Sequence, residues 1–336
     1  MPSTLVGLAA GLLAAAVAIA ASAQAPSPQL AKSLAQANLA LQAGEADKAL
    51  ALLNSLPPSS AGLAEAHNLQ CRVRFTLEQW NAAATECEQA VRLDGQNSDD
   101  HLWLGRALGE KAARASFMSA FALARRARAE FEESVRLDPR NAEALADLGD
   151  FYRQAPAIVG GGVEKAQAIA AQLDKVDPAR AHELRGRIAE QRKDYATAEQ
   201  EFKQAIAAGA HPALQWTTLA AFYSRRKRFA EMESALRSVI GATAHDKRAA
   251  VALYDGAGLL TESNRDPALA AKMLDDYLAA STKTEEGPAF IAHIRLARLK
   301  DQLGDPAAAN RERAAALALA HEYKPAQETR PQEARN

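Results

Sequence analysis

Variants of one sequence motif recur along most of the chain. Residues 145–152 follow the order L-x2-L-G-x2-Y, and an A-x3-F motif runs from Ala127 to Phe131, shortly before Pro139. Small residues at these places allow two helices to approach closely, while the large ones fill the gaps between neighbouring helix pairs. The chain is therefore predicted to fold as a series of short helix–turn–helix units, none of which buries its apolar face alone.

These motifs resemble those of the tetratricopeptide repeat (TPR), a helical hairpin of about 34 residues. The resemblance implies an all-α fold, a right-handed α-solenoid of about eight TPR-like hairpins within residues 29–322. It also implies that the first helices of the hairpins line a concave groove that binds a protein or peptide. The predicted units are residues 30–62, 64–97, 98–141, 142–178, 179–212, 213–246, 249–285 and 289–322.

The two ends of the chain differ from the repeats. Residues 5–21 are apolar or small and uncharged, and Ala21-Ser22-Ala23 follows the A-x-A pattern of a signal-peptide cleavage site. We predict a signal peptide at 1–23, a linker at 24–28 and an exported, periplasmic protein with no stable membrane span after cleavage. An uncleaved anchor stays open as an alternative. Residues 323–336 are rich in Gln, Glu, Arg and Pro and are predicted to be disordered.

Charge and composition narrow the class of ligand. Lys plus Arg number 40 and Asp plus Glu number 41, so no net field favours nucleic acid, and we predict no nucleic-acid partner. The glycine run at 160–162 lacks the G-K-[ST] ending of a phosphate loop. We predict no catalytic site and no cofactor. The sequence does not indicate the oligomeric state.

Cysteine and histidine are the two residue types that could form a disulfide or a metal site. Cys71 and Cys87, the two cysteines of the chain, belong to the same predicted hairpin. In an oxidising compartment they could form a disulfide, but their places are expected to be offset by about a turn, so two buried thiols remain the alternative.

Equivalent places in four first helices hold histidines, which are too far apart to share one ion and are predicted to be packing residues, not a metal site. They are His67, His101, His182 and His293.

The third and fourth units are longer than the others. About ten extra residues in the third unit favour helix, which predicts lengthened helices with Phe117, Met118 and Phe121 near a protruding tip. These three residues either pack on the adjacent hairpin or form an exposed apolar patch for a partner or a membrane. The extra residues of the fourth unit, 154–162, contain Pro156 and three glycines and predict a loop. This loop either redirects the following helix or covers the edge of the third unit.

The concave face supplies the candidate site. Spaced arginines there could hold an acidic peptide or a C-terminal carboxylate, although a solvated face with internal ion pairs is an equal alternative. The candidate residues are Asn38, Asn68, Arg72, Arg106, Asp150, Arg187, Arg225 and Arg298. We predict an interaction scaffold in envelope assembly or maturation. The alternatives are a helical-repeat subunit of a cell-wall enzyme complex, and a lipid or membrane-contacting carrier that uses the third hairpin.

Overall fold

The computed structural model describes residues 27–328, so the predicted signal peptide lies outside the described residues. Within that range the secondary structure is helical, without strands. The α-helices are α1 (Pro28–Gln42), α2 (Ala46–Asn54), α3 (Ala64–Thr76), α4 (Trp80–Leu93), α5 (Ser98–Arg114), α6 (Phe117–Leu137), α7 (Ala142–Gln154), α8 (Val163–Leu173), α9 (Pro178–Gln191), α10 (Tyr195–Ala208), α11 (Pro212–Arg225), α12 (Phe229–His245), α13 (Val251–Glu262), α14 (Pro267–Ala279), α15 (Ala289–Gln302), α16 (Pro306–Leu319) and α17 (Lys324–Glu328).

Helices α1 to α16 pair in chain order into eight hairpins, which we number one to eight, and each hairpin packs on the next. This confirms the predicted repeat solenoid. Several helices begin at an Asp-Pro step, where the aspartate side chain accepts a hydrogen bond from a backbone N–H of the first turn, as Asp177 does from Arg180 at 3.1 Å. Proline suits the next position because its missing N–H would have no partner there. Asp-Pro therefore starts a helix in this chain.

Close helix contacts depend on glycine at one place in several first helices. A Cβ atom on Gly105 would lie 2.6 Å from the Phe131 ring, and one on Gly186 would lie 2.6 Å from the ring of Phe202. Phe202 is fully buried. The glycines thus make room for the aromatic rings of the paired helix, as the repeat pattern predicts.

The third hairpin is lengthened as expected. Helices α5 and α6 have 17 and 21 residues, whereas α9 and α10 of the fifth hairpin each have 14. In the fourth hairpin, residues 155–162 form a loop that includes a short 3₁₀ turn at Ala157–Val159. Arg128 in α6 donates a hydrogen bond to the carbonyl oxygen of Val159 at 3.1 Å, and Val159 is buried. The loop therefore covers the edge of the third hairpin, which was one of the two predicted roles.

The two ends of the described chain pack against each other. Leu34 and Leu41 of the first hairpin share one apolar core with Phe290 of the eighth hairpin and with Tyr323. Gly44 turns directly onto α15, where a Cβ atom would lie only 2.2 Å from the backbone nitrogen of Ala289. The solenoid thus closes end to end around a central groove, a feature that the repeat pattern did not predict.

The predicted disorder of residues 323–336 is wrong for residues 323–328. Tyr323 and Ala326 are buried, and α17 begins directly after Tyr323. The Tyr323 ring packs edge-on against Phe290 with 4.9 Å between centroids. The prediction from composition failed because the two apolar side chains of Tyr323 and Ala326 are enough to hold this segment on the surface of the folded repeats. Similarly, α1 begins at Pro28, which was assigned to the linker. No helix within residues 27–328 combines the length and apolar character needed to cross a bilayer.

Candidate functional site: the central groove

The closed solenoid encloses two cavities that share Glu286. The first, of about 650 Å³, lies between hairpins two to four on one side and hairpins seven and eight on the other. The second, of about 860 Å³, lies between the α8–α9 connection, hairpins five to seven and α15. Volumes of this size accommodate a small ligand or a short extended peptide rather than a folded domain. The walls of the first cavity include the aromatic residues Phe75, Trp80, Trp103, Phe131, Phe151 and Tyr254.

Arg72 is held by a residue from the far end of the solenoid. Its Nε donates to Oε2 of Glu285 at 3.0 Å, and its Nη2 donates to Oε1 of the same carboxylate. Glu285 lies in the connection between α14 and α15 and also accepts a hydrogen bond from Gln42 at 3.0 Å. The Arg72–Glu285 pair is mostly buried, with 18% and 10% of the side chains exposed. This arginine therefore closes the solenoid as well as lining it.

The next two candidate arginines are also paired. Arg106 donates to Asp147 at 2.6 Å and to Glu143 at 3.0 Å, both in α7 of the next hairpin. The guanidinium of Arg106 also stacks on the Trp103 ring, 4.6 Å from its centroid. Arg187 donates to Asp150 at 2.7 Å. These pairs each join two first helices, so the arginines stabilise the junctions between hairpins.

Arg225 and Arg298 stand in different surroundings. Arg225 makes two hydrogen bonds to Glu190 of the preceding hairpin, at 2.9 and 2.7 Å. Arg298 is exposed and has no hydrogen bond or ion pair among the described residues. A ligand carboxylate would compete with internal acids at every candidate arginine except Arg298. Partner binding by these residues remains a prediction.

Asn38, Asn68 and Arg72 line a smaller cavity of about 270 Å³ between the first three hairpins. Asn68 donates to Oδ1 of Asp100 at 2.6 Å, while Oδ2 of this buried carboxyl has no hydrogen-bond partner. Burial raises the pKa of Asp100 to about 6, although the bond from Asn68 opposes the rise. Sequence reasoning missed Asp100, which looked like an ordinary acidic residue in the first turn of a helix.

Two further acids of the groove lack internal partners. Asp255 in α13 and Glu286 in the α14–α15 connection form no hydrogen bond or ion pair among the described residues. Both side chains are in contact with solvent in the groove. The groove walls nevertheless desolvate Asp255, and repulsion from Glu286 adds a smaller effect, so that the pKa of Asp255 is raised to about 7. Desolvation, and to a smaller extent repulsion from Glu143, likewise raises the pKa of Glu286. The unpaired charge of the groove is thus mainly negative, and only Arg295 opposes it near Asp255. No sequence motif marked these two acids.

Cys71 and Cys87 form a disulfide, with their Cα atoms 5.2 Å apart. The expected offset of a turn is wrong, because the two places face each other. The spacing in the sequence was the relevant signal. The two cysteines are 16 residues apart, as are Gly186 and Phe202, which are in contact. The disulfide therefore replaces the glycine–phenylalanine contact of other hairpins.

The four equivalent histidines each face a glutamate of the second helix in the same hairpin. The Nδ1–Oε2 distances are 2.7 Å for His67–Glu86, 2.6 Å for His101–Glu130, 2.7 Å for His182–Glu201 and 2.6 Å for His293–Glu312. The hydrogen bond to Glu130 raises the pKa of His101 above its ordinary value. These residues are partly buried packing residues, as predicted, but the repeated glutamate partner was not foreseen.

The tip of the third hairpin is apolar and exposed. Phe117 and Met118 begin α6 and are 74% and 78% exposed, so the alternative that they pack on the adjacent hairpin is wrong. Phe121 is partly buried and packs edge-on against Phe117, with 4.6 Å between ring centroids. The tip lies outside the groove.

Comparison with known proteins gives one partial sequence match and distant structural likenesses to TPR proteins. No protein-family model matches the chain. Over 116 residues it is 29% identical to superkiller complex protein 3 of Mus musculus, a region that covers 34% of this chain and 7% of that protein. A thermophilic TPR protein of Thermus thermophilus is similar in structure, with a TM-score of 0.48 and 18% identity over 61% of this chain and 98% of the other. The C-terminal part of a TPR repeat-containing protein of Cytophaga hutchinsonii gives a TM-score of 0.39 and 14% identity, over 74% and 95% of the two chains.

Proposed function

We propose that this TPR-like solenoid is an exported scaffold that holds an extended segment of a partner protein in its central groove. The observation that carries the proposal is the convergence of side chains from hairpins two to four, seven and eight on one cavity with aromatic walls. Aromatic side chains supply large contact areas for a bound peptide. At about 650 Å³, the cavity has room for a few side chains and is too small for a folded domain.

The charges of the groove favour a basic segment over an acidic one. The groove arginines Arg72, Arg106 and Arg187 already have carboxylate partners. Asp255 and Glu286, in contrast, have none, and a lysine or arginine of the partner would relieve their mutual repulsion. An opposite charge nearby stabilises the ionised form of a carboxyl group whose pKa is raised.

Export is supported by two separate features. Residues 5–23 carry the apolar run and the A-x-A pattern of a signal peptide. The Cys71–Cys87 disulfide suits an oxidising compartment such as the bacterial periplasm. An adaptor in that location would serve an envelope assembly or maturation process.

Peptide binding can be measured with a chain that begins at Gln24 and so retains every described residue. Fluorescent extended peptides of basic, acidic and neutral composition would be titrated by anisotropy. We expect the basic series to bind best and the double variant D255N/E286Q to weaken that binding about tenfold or more, since each charge pair in such a site is worth about 1 kcal/mol.

The matched control is E164Q/E328Q, which removes two exposed acids outside the groove. It should bind as the unaltered chain does. The proposal fails if no peptide series binds, or if D255N/E286Q binds basic peptides with undiminished affinity.

A further inference from the structure

The turns within the hairpins define one edge of the solenoid, which we call the turn edge. Because every first helix runs toward its turn, the turns of successive hairpins lie side by side, and the connections between hairpins lie at the opposite edge. Six large apolar side chains are exposed among residues 27–328, and four of them lie at or next to these turns. The four are Phe117, Met118, Ile158 and Leu303.

The third hairpin projects beyond its neighbours at this edge. Gly105 and Gly186 lie at similar distances from the starts of their helices, and α6 ends as far beyond Phe131 as α10 ends beyond Phe202. The extra residues of α5 and α6 therefore lie toward the turn. At 1.5 Å per residue, they carry Phe117 and Met118 between about 5 and 10 Å beyond the neighbouring turns.

Basic residues outnumber acidic ones near the protruding tip and in the turns of hairpins five and six, where Asp194 is the exposed acid. Residues 111–127 contain four basic residues and no acidic one: Lys111, Arg114, Arg125 and Arg126. Arg114 and Arg126 have acidic partners in Glu110 and Glu88. The turns of hairpins five and six add Arg192 and Lys193, and Arg226 and Lys227, all of them exposed. The connections at the opposite edge carry both signs: Asp94, Asp138, Asp174, Asp177 and Asp246 together with Arg140, Lys175, Lys247 and Arg248.

We infer that the turn edge of hairpins three to six is a docking surface for an anionic lipid bilayer. Phe117 and Met118 enter the boundary between headgroups and acyl chains, and the basic turns, which are set back from the tip, meet the lipid phosphates. Insertion by about 5–10 Å is the depth at which interfacial apolar side chains are buried. Exposed apolar side chains beside basic residues are the combination that binds an anionic bilayer at its interface. The inference is independent of peptide binding in the groove.

The edge-on packing of Phe117 on Phe121 supports this assignment. Ring centroids 4.6 Å apart hold Phe117 at the tip, although most of its surface is in solvent. A side chain that is fixed in an outward orientation loses less conformational freedom on insertion than a mobile one does. Each basic residue near an anionic bilayer adds to the electrostatic attraction, which makes the binding sensitive to salt.

The test is flotation with vesicles of phosphatidylcholine alone or with phosphatidylglycerol. The chain would begin at Gln24, so that the apolar run at 5–21 cannot bring it to lipid. We expect flotation with the anionic vesicles at low salt, and a loss at high salt or with phosphatidylcholine alone. F117S/M118S should lower the partition coefficient about tenfold or more, because two apolar side chains no longer enter lipid, and K193Q/K227Q should lower it severalfold.

Matched controls separate this surface from general stickiness. L39S removes a side chain that is 69% exposed but lies within α1, and K32Q/K175Q removes two exposed lysines near the opposite edge. Both controls should float as the unaltered chain does, and circular dichroism should show that all variants are folded. Failure of the unaltered chain to float with anionic vesicles would overturn the inference. Equal flotation of F117S/M118S, or equal loss with the controls, would also overturn it.

Discussion

Arg72 and Glu285 form a two-point ion pair although they lie 213 residues apart in the sequence. Gln42 and Asn38 of the first hairpin contact the same pair, so it joins the first and second hairpins to the connection that leads into the eighth. A second set of contacts lies beyond it, where Glu322 accepts hydrogen bonds from Arg74 at 3.1 Å and from Gln79 at 3.0 Å. The closed groove, and with it the candidate peptide site, depends on these contacts.

Replacing Glu285 by glutamine should loosen the closure. Arg72 would keep its charge in a mostly buried place without a carboxylate partner, at a cost of about 2–3 kcal/mol. Hydrogen exchange should then quicken in α1 and α2. The exposed Glu164 offers a control, because E164Q should leave the exchange unchanged. Unaltered exchange of α1 and α2 in E285Q would show that this pair does not hold the ends together.

The disulfide should stabilise the second hairpin. It closes a loop of 16 residues, for which chain-entropy reasoning gives about 3 kcal/mol. Urea unfolding with dithiothreitol should therefore have a lower midpoint than without it. The double variant C71G/C87F restores the glycine–phenylalanine contact of the fifth hairpin and should be indifferent to dithiothreitol. A midpoint of the unaltered chain that ignores the reductant would contradict the bonded pair.

Gly186 should not tolerate even one added methyl group. A Cβ there would lie 2.6 Å from the Phe202 ring, so G186A should cost about 1–3 kcal/mol in urea unfolding. Gly109 in α5 provides the comparison, since a Cβ there meets nothing within 4 Å. G109A should be neutral or stabilise the protein by about 0.5–1 kcal/mol. A second change, F202L, should recover part of the loss in G186A; equal effects of G186A and G109A would disprove the close contact.

Asp100 predicts a specific pH dependence. The pKa of this carboxyl is raised from 3.8 to about 6 in the folded protein, so between these values the folded state binds more protons than the unfolded state. Its contribution therefore favours folding at low pH and is lost as the pH rises from about 4 to 6. D100N removes this term and should be about 1–3 kcal/mol more stable than the unaltered chain at pH 7.

The measurement is urea unfolding from pH 4 to pH 7.5 for the unaltered chain, D100N and the control variant E164Q, which changes an exposed acid far from Asp100. The free energies of unfolding of D100N and the unaltered chain should diverge as the pH rises, whereas E164Q should follow the unaltered chain. Parallel profiles for D100N and the unaltered chain would indicate that Asp100 titrates near its ordinary value.

The repeat architecture could be predicted because its signals are local. Small and large residues recur at similar places in successive hairpins, as Gly186 and Phe202 show, and the extra length of the third hairpin is visible as the wider spacing from Gly105 to Phe131. The closure could not be predicted, because it depends on the small rotation between successive hairpins summed over the whole array. Glu285 and Tyr323 consequently carried no signal, and composition assigned Tyr323 to a disordered tail.

The candidate site was foreseen only in part. Arg72, Arg106 and Arg187 line the groove region, but the sequence could not show which acids meet them, since their partners belong to other hairpins or to distant connections. Asp255 and Glu286 are noticeable only once local packing brings the α14–α15 connection back beside α13 and both side chains line the groove. The charge of the groove is therefore a property of the assembled solenoid.

Cysteine crosslinking shows directly whether the first hairpin meets the end of the eighth. Asp47 in α2 accepts a hydrogen bond from the backbone nitrogen of His321 at 2.9 Å, although the two residues are 274 positions apart. The native cysteines are bonded to each other, so D47C/H321C offers two free thiols. A short bismaleimide should link these two thiols within one chain, and mass spectrometry of the monomer band should then find their two peptides joined, whereas D174C/H321C should give no such pair. An open solenoid, which would contradict the account, would leave both D47C/H321C thiols singly labelled.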